Sequence, residues 1–421
     1  MSSWHAPSAT GPVNAKVRPP GSKSITNRAL VLAALSSGPS VITGGLLARD
    51  TTLAATALRV LGHRVSLDAT SWRVSPGSVP PAAELSVDVG NSGTCMRFLP
   101  GVAALSRGTV RFDGDPRVRQ RPIGELLGAL RSAGVDVSGD AAPFIVHGTG
   151  SVRGGPVVLD ASGSSQLVSG LLLSAPRFDD GIVVRHEGAA VPSAPHIAMT
   201  LRMLSAAGAQ VSAGDGEWRV TPGPLSLGTV HVEPDLSNAV PFLAAALVTG
   251  GTVVIPGWPA DSLQASDQIL ALLGQMGASY TAGARELTFS GSGAVAGITA
   301  DLRDVSELAP VLTAVAALAS SPSAFTGLAH TRTHETDRLA ALAKEINALG
   351  GDVTELPDGL TIRPRPLACA APFETYDDHR LVMAAAVLGL VVPELSVSNA
   401  QTVAKTFPDF IDDWTAMLTG G

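Results

Sequence analysis

Long apolar stretches recur along the chain, each opened by a short polar cluster and closed by Gly or Ser. The stretch PPGSKSITNRALVLAALSSG, residues 19–38, sets the plan: polar residues, an Ala/Leu/Val run, then a break. Six segments follow it, starting at Ser22, Asn91, Ser164, Leu236, Ser306 and Tyr376, with spacings of 69, 73, 72, 70 and 70 residues. A repeat of that length exceeds a solenoid unit and suits a small βαβαββ module. A run that is apolar nearly all round predicts a buried helix, and the β-branched residues after the break predict a strand.

Each module then carries a more amphipathic segment that ends in Gly, such as DTTLAATALRVLG, PIGELLGALRSAG and PHIAMTLRMLSAAG. In TDRLAALAKEINALG, Leu339, Leu342, Ile346 and Leu349 share one helical face, and Gly350 reads as the C-cap. The two helix types predict one set buried among its fellows and one nearer solvent, with sheets around them. Pro19-Pro20 and the turn at Pro234 divide the modules three and three. The early strand NAKVRPP either opens the first domain or pairs with the second, which would make the second discontinuous.

Composition changes this picture little. The 421 residues suit two or three domains, and 45% hydrophobic against 15% charged residues supports a large core. A net charge of −7 argues against general nucleic-acid binding, so an anionic partner must meet a local cationic cluster. Two cysteines, Cys95 and Cys369, are too few for a disulfide framework and suit a reducing cytoplasm. The opening residues lack the pattern of a signal peptide, and the apolar runs are broken before membrane-spanning length. A cytoplasmic protein is expected.

Candidate chemistry gathers at the starts of the buried helices. A helix N-terminus offers free N–H groups and about half a positive charge, so several such ends together bind anions. Plain N-capping explains any one of them. It does not explain the recurrence of Lys23, Arg28, Arg97, Arg121, Arg338, Arg380 and Lys405 at matching module edges. That recurrence points to phosphate and carboxylate recognition. Acid–base candidates are fewer: Glu307, read at the start of the fifth buried helix, and Glu335 in HTRTHETDR, with YDDHR supplying Asp377, Asp378 and His379. They suit general acid–base work. Metal-ligand spacing is weak, GSKS is not a phosphate-binding P-loop, and Cys95 reads as a small core residue.

The motifs PGSKSITNRAL, GNSGTCMRFL, DGDPRVRQRPI, SSQLVSGLLLSAP, HETDRLAAL, YDDHR and AKTFPDF together resemble the 5-enolpyruvylshikimate-3-phosphate (EPSP) synthase family, from Pro20 to Phe410. The Ala/Gly-rich character and the histidines suggest an actinobacterial member. The resemblance implies a two-domain inside-out α/β barrel of six βαβαββ modules, three per domain. Residues 21–233 would form one domain, and residues 1–20 with 234–421 the other. It implies enolpyruvyl transfer from phosphoenolpyruvate to the 5-hydroxyl of shikimate 3-phosphate, with release of phosphate and without metal or organic cofactor.

By the same resemblance, Lys23, Ser24, Arg28, Ser164, Ser165, Gln166, Ser193, His196, Glu307 and His334 match positions around shikimate 3-phosphate. Lys23, Asn91, Gly93, Thr94, Arg121, Gln166, Arg338, Arg380 and Lys405 match the phosphoenolpyruvate side. Glu307, Lys23 and Glu335 match the proton-transfer positions, with His379 assisting. Contacts from both halves imply a closed state on binding, a monomer suffices, and glyphosate is expected to compete with phosphoenolpyruvate.

The chain departs from the commoner family pattern at Glu307 (usually Asp), His334 (Lys), His196 (Tyr), His330 (Asn) and Phe98 (Pro). The first four leave the reaction in place, with the pH profile open at His334. Phe98 reads as core filler. A UDP-N-acetylglucosamine enolpyruvyl transferase is disfavoured by GSKS and by the absence of Cys from DGDPRVRQRPI. A non-catalytic phospho-ligand-binding protein is disfavoured by the retained Lys23, Glu307 and Glu335.

Overall fold

A computed structural model describes residues 3–68, 71–77 and 83–419. The chain divides into two compact units: Gly21–Val232, and the residues up to Pro20 with those from Glu233 onward.

In the Gly21–Val232 unit, three core helices span Lys23–Leu35, Gly93–Ala104 and Ser165–Ser174, and each touches the other two. Each starts where the sequence places a serine. Ser22 accepts from the Ile25 N–H at 3.5 Å, Ser92 from that of Cys95 at 3.3 Å and Ser164 from that of Gln166 at 3.2 Å. The helices approach closely because small residues line the seam. A Cβ on Gly170 would collide with the Arg97 carbonyl, and one on Gly101 would lie 2.7 Å from Ser174 Oγ.

Three four-stranded sheets complete this unit. Their strand orders are 229–231, 40–43, 71–75, 64–67; then 83–88, 107–113, 144–149, 136–138; then 155–159, 182–186, 217–220, 211–214. In each, the first pair is parallel and the others antiparallel, as a βαβαββ path requires. Val110, Val146, Leu159 and Val184 on the inward faces are buried.

The other unit repeats the plan around helices Leu236–Thr249, Ala309–Ala317 and His379–Gly389, which also touch one another. Strand Asn14–Lys16 pairs in parallel with Thr252–Val254 and supplies the first strand of the fourth module. The sixth module is shortened: Ser396–Ser398 pairs antiparallel with Ser3–His5 and forms one parallel bridge to Phe373. Helix Phe410–Thr419 closes the chain, packing Phe410 and Trp414 against Phe242.

The outer helices confirm their signals. Arg49–Val60, Gly124–Ser132, Ala194–Ala206, Ser266–Gln275 and Arg338–Ala348 each run into a glycine at positive φ: Gly62, Gly134, Gly208, Gly277 and Gly350. The next N–H reaches back five residues each time: His63 to Leu58, Val135 to Leu130, Ala209 to Leu204, Ala278 to Leu273 and Gly351 to Ile346. This is one Schellman stop used five times. The predicted face of the last, Leu339, Leu342, Ile346 and Leu349, is buried.

One expectation needs correction. Glu307 does not open the fifth core helix. It lies in a 3-10 turn, Arg303–Leu308, and the α-helix starts at Ala309. Pro310 carries no N–H, so the Ser306 carbonyl is met instead by the Ala309 N–H, one residue early.

Candidate active site

In the Gly21–Val232 unit the starts of the three core helices are tied side chain to side chain. Asn27 Nδ2 donates to Thr94 Oγ1 at 2.8 Å, Arg28 Nη2 to Ser169 Oγ at 3.3 Å, and Arg97 Nη1 to Gln166 Oε1 at 3.0 Å. Each bond joins a different pair of helices, so their positive ends lie together. That arrangement concentrates positive potential without any ion.

The expected cations sit there. Lys23 is the first residue of its helix, with Nζ 3.5 Å from the buried carboxylate of Asp50. Arg121 donates to the Asn91 carbonyl at 3.0 Å. Gly93 opens the second helix beside both arginines: an added Cβ would lie 2.6 Å from Arg121 Nη2 and 2.9 Å from Arg97 Nη1. Thr94 takes the Asn27 bond and sits 3.1 Å from Ser92 Oγ.

Arg28 is buried, at 1% exposure. It donates to Thr200 Oγ1 at 2.7 Å and to the carbonyls of Ser24 and His196 at 3.0 and 3.1 Å. Among the described residues its hydrogen-bond partners are all neutral, and burial lowers its pKa to about 9. Cζ also stands 5.0 Å above the Phe98 ring centroid, a role the core-filler reading of Phe98 did not include. Ser164 and Ser165 begin the third helix. Ser193 adopts φ 53, ψ 43 and accepts from the His196 N–H at 2.9 Å.

The other unit gathers the remaining set. Arg338 grips the buried carboxylate of Asp378 through Nε at 2.8 Å and Nη2 at 3.2 Å. Asp378 also caps the sixth core helix, accepting from the Arg380 N–H at 2.8 Å. Glu335 stands between two cations, 2.6 Å from Lys405 Nζ and 3.2 Å from Arg338 Nη2. Arg380 reaches back to Ser237, at the start of the fourth core helix, with Nη2 2.6 Å from Oγ. Burial depresses the Arg380 pKa. Burial acts on Arg338 in the same sense, but the charges of Asp378 and Glu335 outweigh it and its pKa is raised. Glu307 contributes to the field at both arginines.

His334 Nδ1 lies 3.3 Å from Arg338 Nη1, and an arginine only donates, so this nitrogen is the acceptor in that contact. His330 Nε2 lies 2.8 Å from Ser306 Oγ. Burial, aided by Arg338, takes the His330 pKa to about 4. His379 is buried with Nδ1 3.6 Å from Asp378. Tyr376 and Asp377, at φ 50 and 58, are strained residues leading into the cap. Thr402 Oγ1 holds the Asp377 carbonyl and Asn399 Nδ2 holds its side chain. Among the described residues no group of three or more His, Cys, Asp or Glu is placed to hold a metal, and no helix is long and apolar enough to cross a membrane.

Residues 7–414 match the family model of EPSP synthase, 3-phosphoshikimate 1-carboxyvinyltransferase. The chain belongs to the EPSP synthase family. Its chemistry is that family's: enolpyruvyl transfer in the shikimate pathway, in the biosynthesis of aromatic amino acids. Among solved structures, an EPSP synthase from Acinetobacter baumannii aligns over 99% of this chain and 98% of its own, with TM-score 0.83 and 24% identity. A second structure of EPSP synthase from Acinetobacter baumannii aligns over 96% of each chain, with TM-score 0.78 and 24% identity. The enolpyruvyl transferase NikO from Streptomyces tendae aligns over 99% of this chain and 96% of its own, with TM-score 0.77 and 19% identity. These likenesses fix the fold as the two-domain inside-out α/β barrel of EPSP synthases.

Sequence reasoning missed Asp50, the partner of Lys23, and the use of Ser237 and Asp378 to hold Arg380 and Arg338. The acid at the start of an outer helix reads as ordinary dipole complementation. Only the fold brings Ser237 to Arg380.

Proposed function

We propose that the two residue sets serve one reaction, in which the 5-hydroxyl of shikimate 3-phosphate adds to C2 of phosphoenolpyruvate. Ser24, Arg28, Ser164, Ser165, Gln166, Ser193 and His196 receive shikimate 3-phosphate, with Glu307 and His334 completing that set. Asn91, Gly93, Thr94, Arg121, Gln166, Arg338, Arg380 and Lys405 receive phosphoenolpyruvate, and Lys23 serves both. The observation that supports this reading is common to both units. Of the expected ligand residues, Lys23, Ser24, Gly93, Thr94, Ser164, Ser165, Gln166 and Arg380 lie at the N-terminal ends of mutually packed core helices, which the bonds of Arg28, Arg97 and Arg380 join.

Glu307 accepts the hydroxyl proton as the new C–O bond forms. The ammonium of Lys23 supplies a proton to the methylene carbon, giving a tetrahedral phosphate ketal, and Glu335 partners it as the carboxylate that takes the proton back from the methyl group. Loss of a proton from the resulting methyl group then expels phosphate and restores the double bond. His379 assists this transfer. An anionic donor arriving at Arg338 and Lys405 competes with Glu335 for their N–H groups, which frees the carboxylate for proton transfer. Preorganised cations of this kind stabilise charge as it develops on phosphate and carboxylate. Glyphosate is the proposed competitor of phosphoenolpyruvate, and a cytoplasmic monomer the proposed working state.

The test is phosphate release when the purified protein meets both substrates. Release with shikimate 3-phosphate supports the reading; release only with UDP-N-acetylglucosamine, or with neither acceptor, overturns it. Lys23→Met should fold and lose almost all turnover, since breaking a desolvated charge contact costs ~2–5 kcal/mol.

A further inference from the structure

Phe98 and Arg28 come from different core helices and meet face to cation. The guanidinium carbon lies 5.0 Å from the ring centroid, and each residue is 1% exposed. A guanidinium enclosed this deeply normally pairs with a carboxylate, because desolvation is otherwise costly. Here its partners among the described residues are the hydroxyls of Thr200 and Ser169 and the carbonyls of Ser24 and His196. These acceptors lie around the edge of the guanidinium plane. The ring presents a negative π face to the cation, and the attraction is strongest where water is excluded. An aliphatic side chain would fill the same volume without that face.

The placement matters for the site. Phe98 lies one turn beyond Thr94 and next to Arg97, on the helix that begins at Gly93. Arg28 lies on the helix that begins at Lys23. We propose that Phe98 is a positioning residue: its ring fixes the plane of the Arg28 guanidinium and so sets the affinity for shikimate 3-phosphate. This rests on the reading of Arg28 as a ligand of that substrate.

The test keeps the shape of the ring and changes its face. Position 98 is filled with 4-fluoro-, 3,5-difluoro- and 3,4,5-trifluorophenylalanine in the full-length protein, which weakens the π potential stepwise. Calorimetric Kd for shikimate 3-phosphate is measured beside Tm, kcat and the KM for each substrate. The expected result is a graded loss of shikimate 3-phosphate affinity, about three- to tenfold at the trifluoro ring, with kcat and the KM for phosphoenolpyruvate unchanged. A flat series, or equal losses for both substrates, overturns the proposal. Arg28→Gln and Arg28→Lys separate the two readings. If both keep wild-type affinity, the assignment of Arg28 fails and this inference with it. If either loses affinity at least tenfold while the fluorinated series stays flat, only the role of Phe98 fails.

Discussion

At Gly93 the obstacle to a side chain is two guanidinium groups rather than backbone. A methyl group there must push Arg121 Nη2 and Arg97 Nη1 aside, and both are ends of flexible side chains. Gly93→Ala is therefore expected to fold, to weaken glyphosate more than phosphoenolpyruvate, and to raise the KM for phosphoenolpyruvate modestly. Inhibition constants that match the wild type would show that the inhibitor does not sit against this backbone. Two histidines give a pH prediction. Burial lowers His63 and His330 from 6.5 to about 4. Between those values the unfolded chain binds more protons than the folded one, so stability falls as pH drops from 6.5 through 4 and levels off below. Each contributes roughly 1–3 kcal/mol, discounted for partial exposure. Urea midpoints at pH 7 and pH 4.5 should converge in His63→Gln and His330→Gln relative to wild type; an unchanged gap would rule out neutral burial.

Helix stops show how much the sequence discloses at the scale of elements. Each outer helix ends at a glycine in the left-handed region, and around Gly208 there is space: the nearest atom to an added Cβ is the Pro224 carbonyl oxygen at 3.9 Å. Only the backbone angle penalises a side chain there. Gly208→Ala is expected to cost about 1 kcal/mol and Gly208→Asn less; equal urea midpoints for all three proteins would contradict this. These stops, the serine caps and the buried runs were legible because they depend on neighbours within one helix turn. What lay further away was not. Pro310 displaced the start of the fifth core helix, and with it the setting of Glu307. Asp50 meets Lys23 only after two helices pack. The family motifs named Arg28, whereas its contact with Phe98 depends on two helices crossing, and single-helix periodicity reports Phe98 only as apolar.

Across the molecule, the modules do not follow chain order. Every strand of the sheets in Gly21–Val232 comes from within that unit, whose first module is completed by 229–231. A fragment of residues 21–232 is thus expected to fold alone, with cooperative urea unfolding. A fragment of 233–421 lacks strand 14–16 beside 252–254 and strand 3–5 beside 396–398, and is expected to stay loosely packed until a peptide of residues 1–20 is added. Cooperative unfolding of 233–421 by itself would overturn this. The same arrangement bears on synthesis. On the ribosome, the strands at 3–5 and 14–16 emerge before the neighbours they need, and must wait while the intervening unit is made. A waiting strand is a hazard if other nascent chains can pair with it. Here both strands are only three residues long and are flanked by Pro7, Pro12, Pro19 and Pro20, which offer no N–H to a stray partner. The leading segment can therefore stay open until its own neighbours emerge.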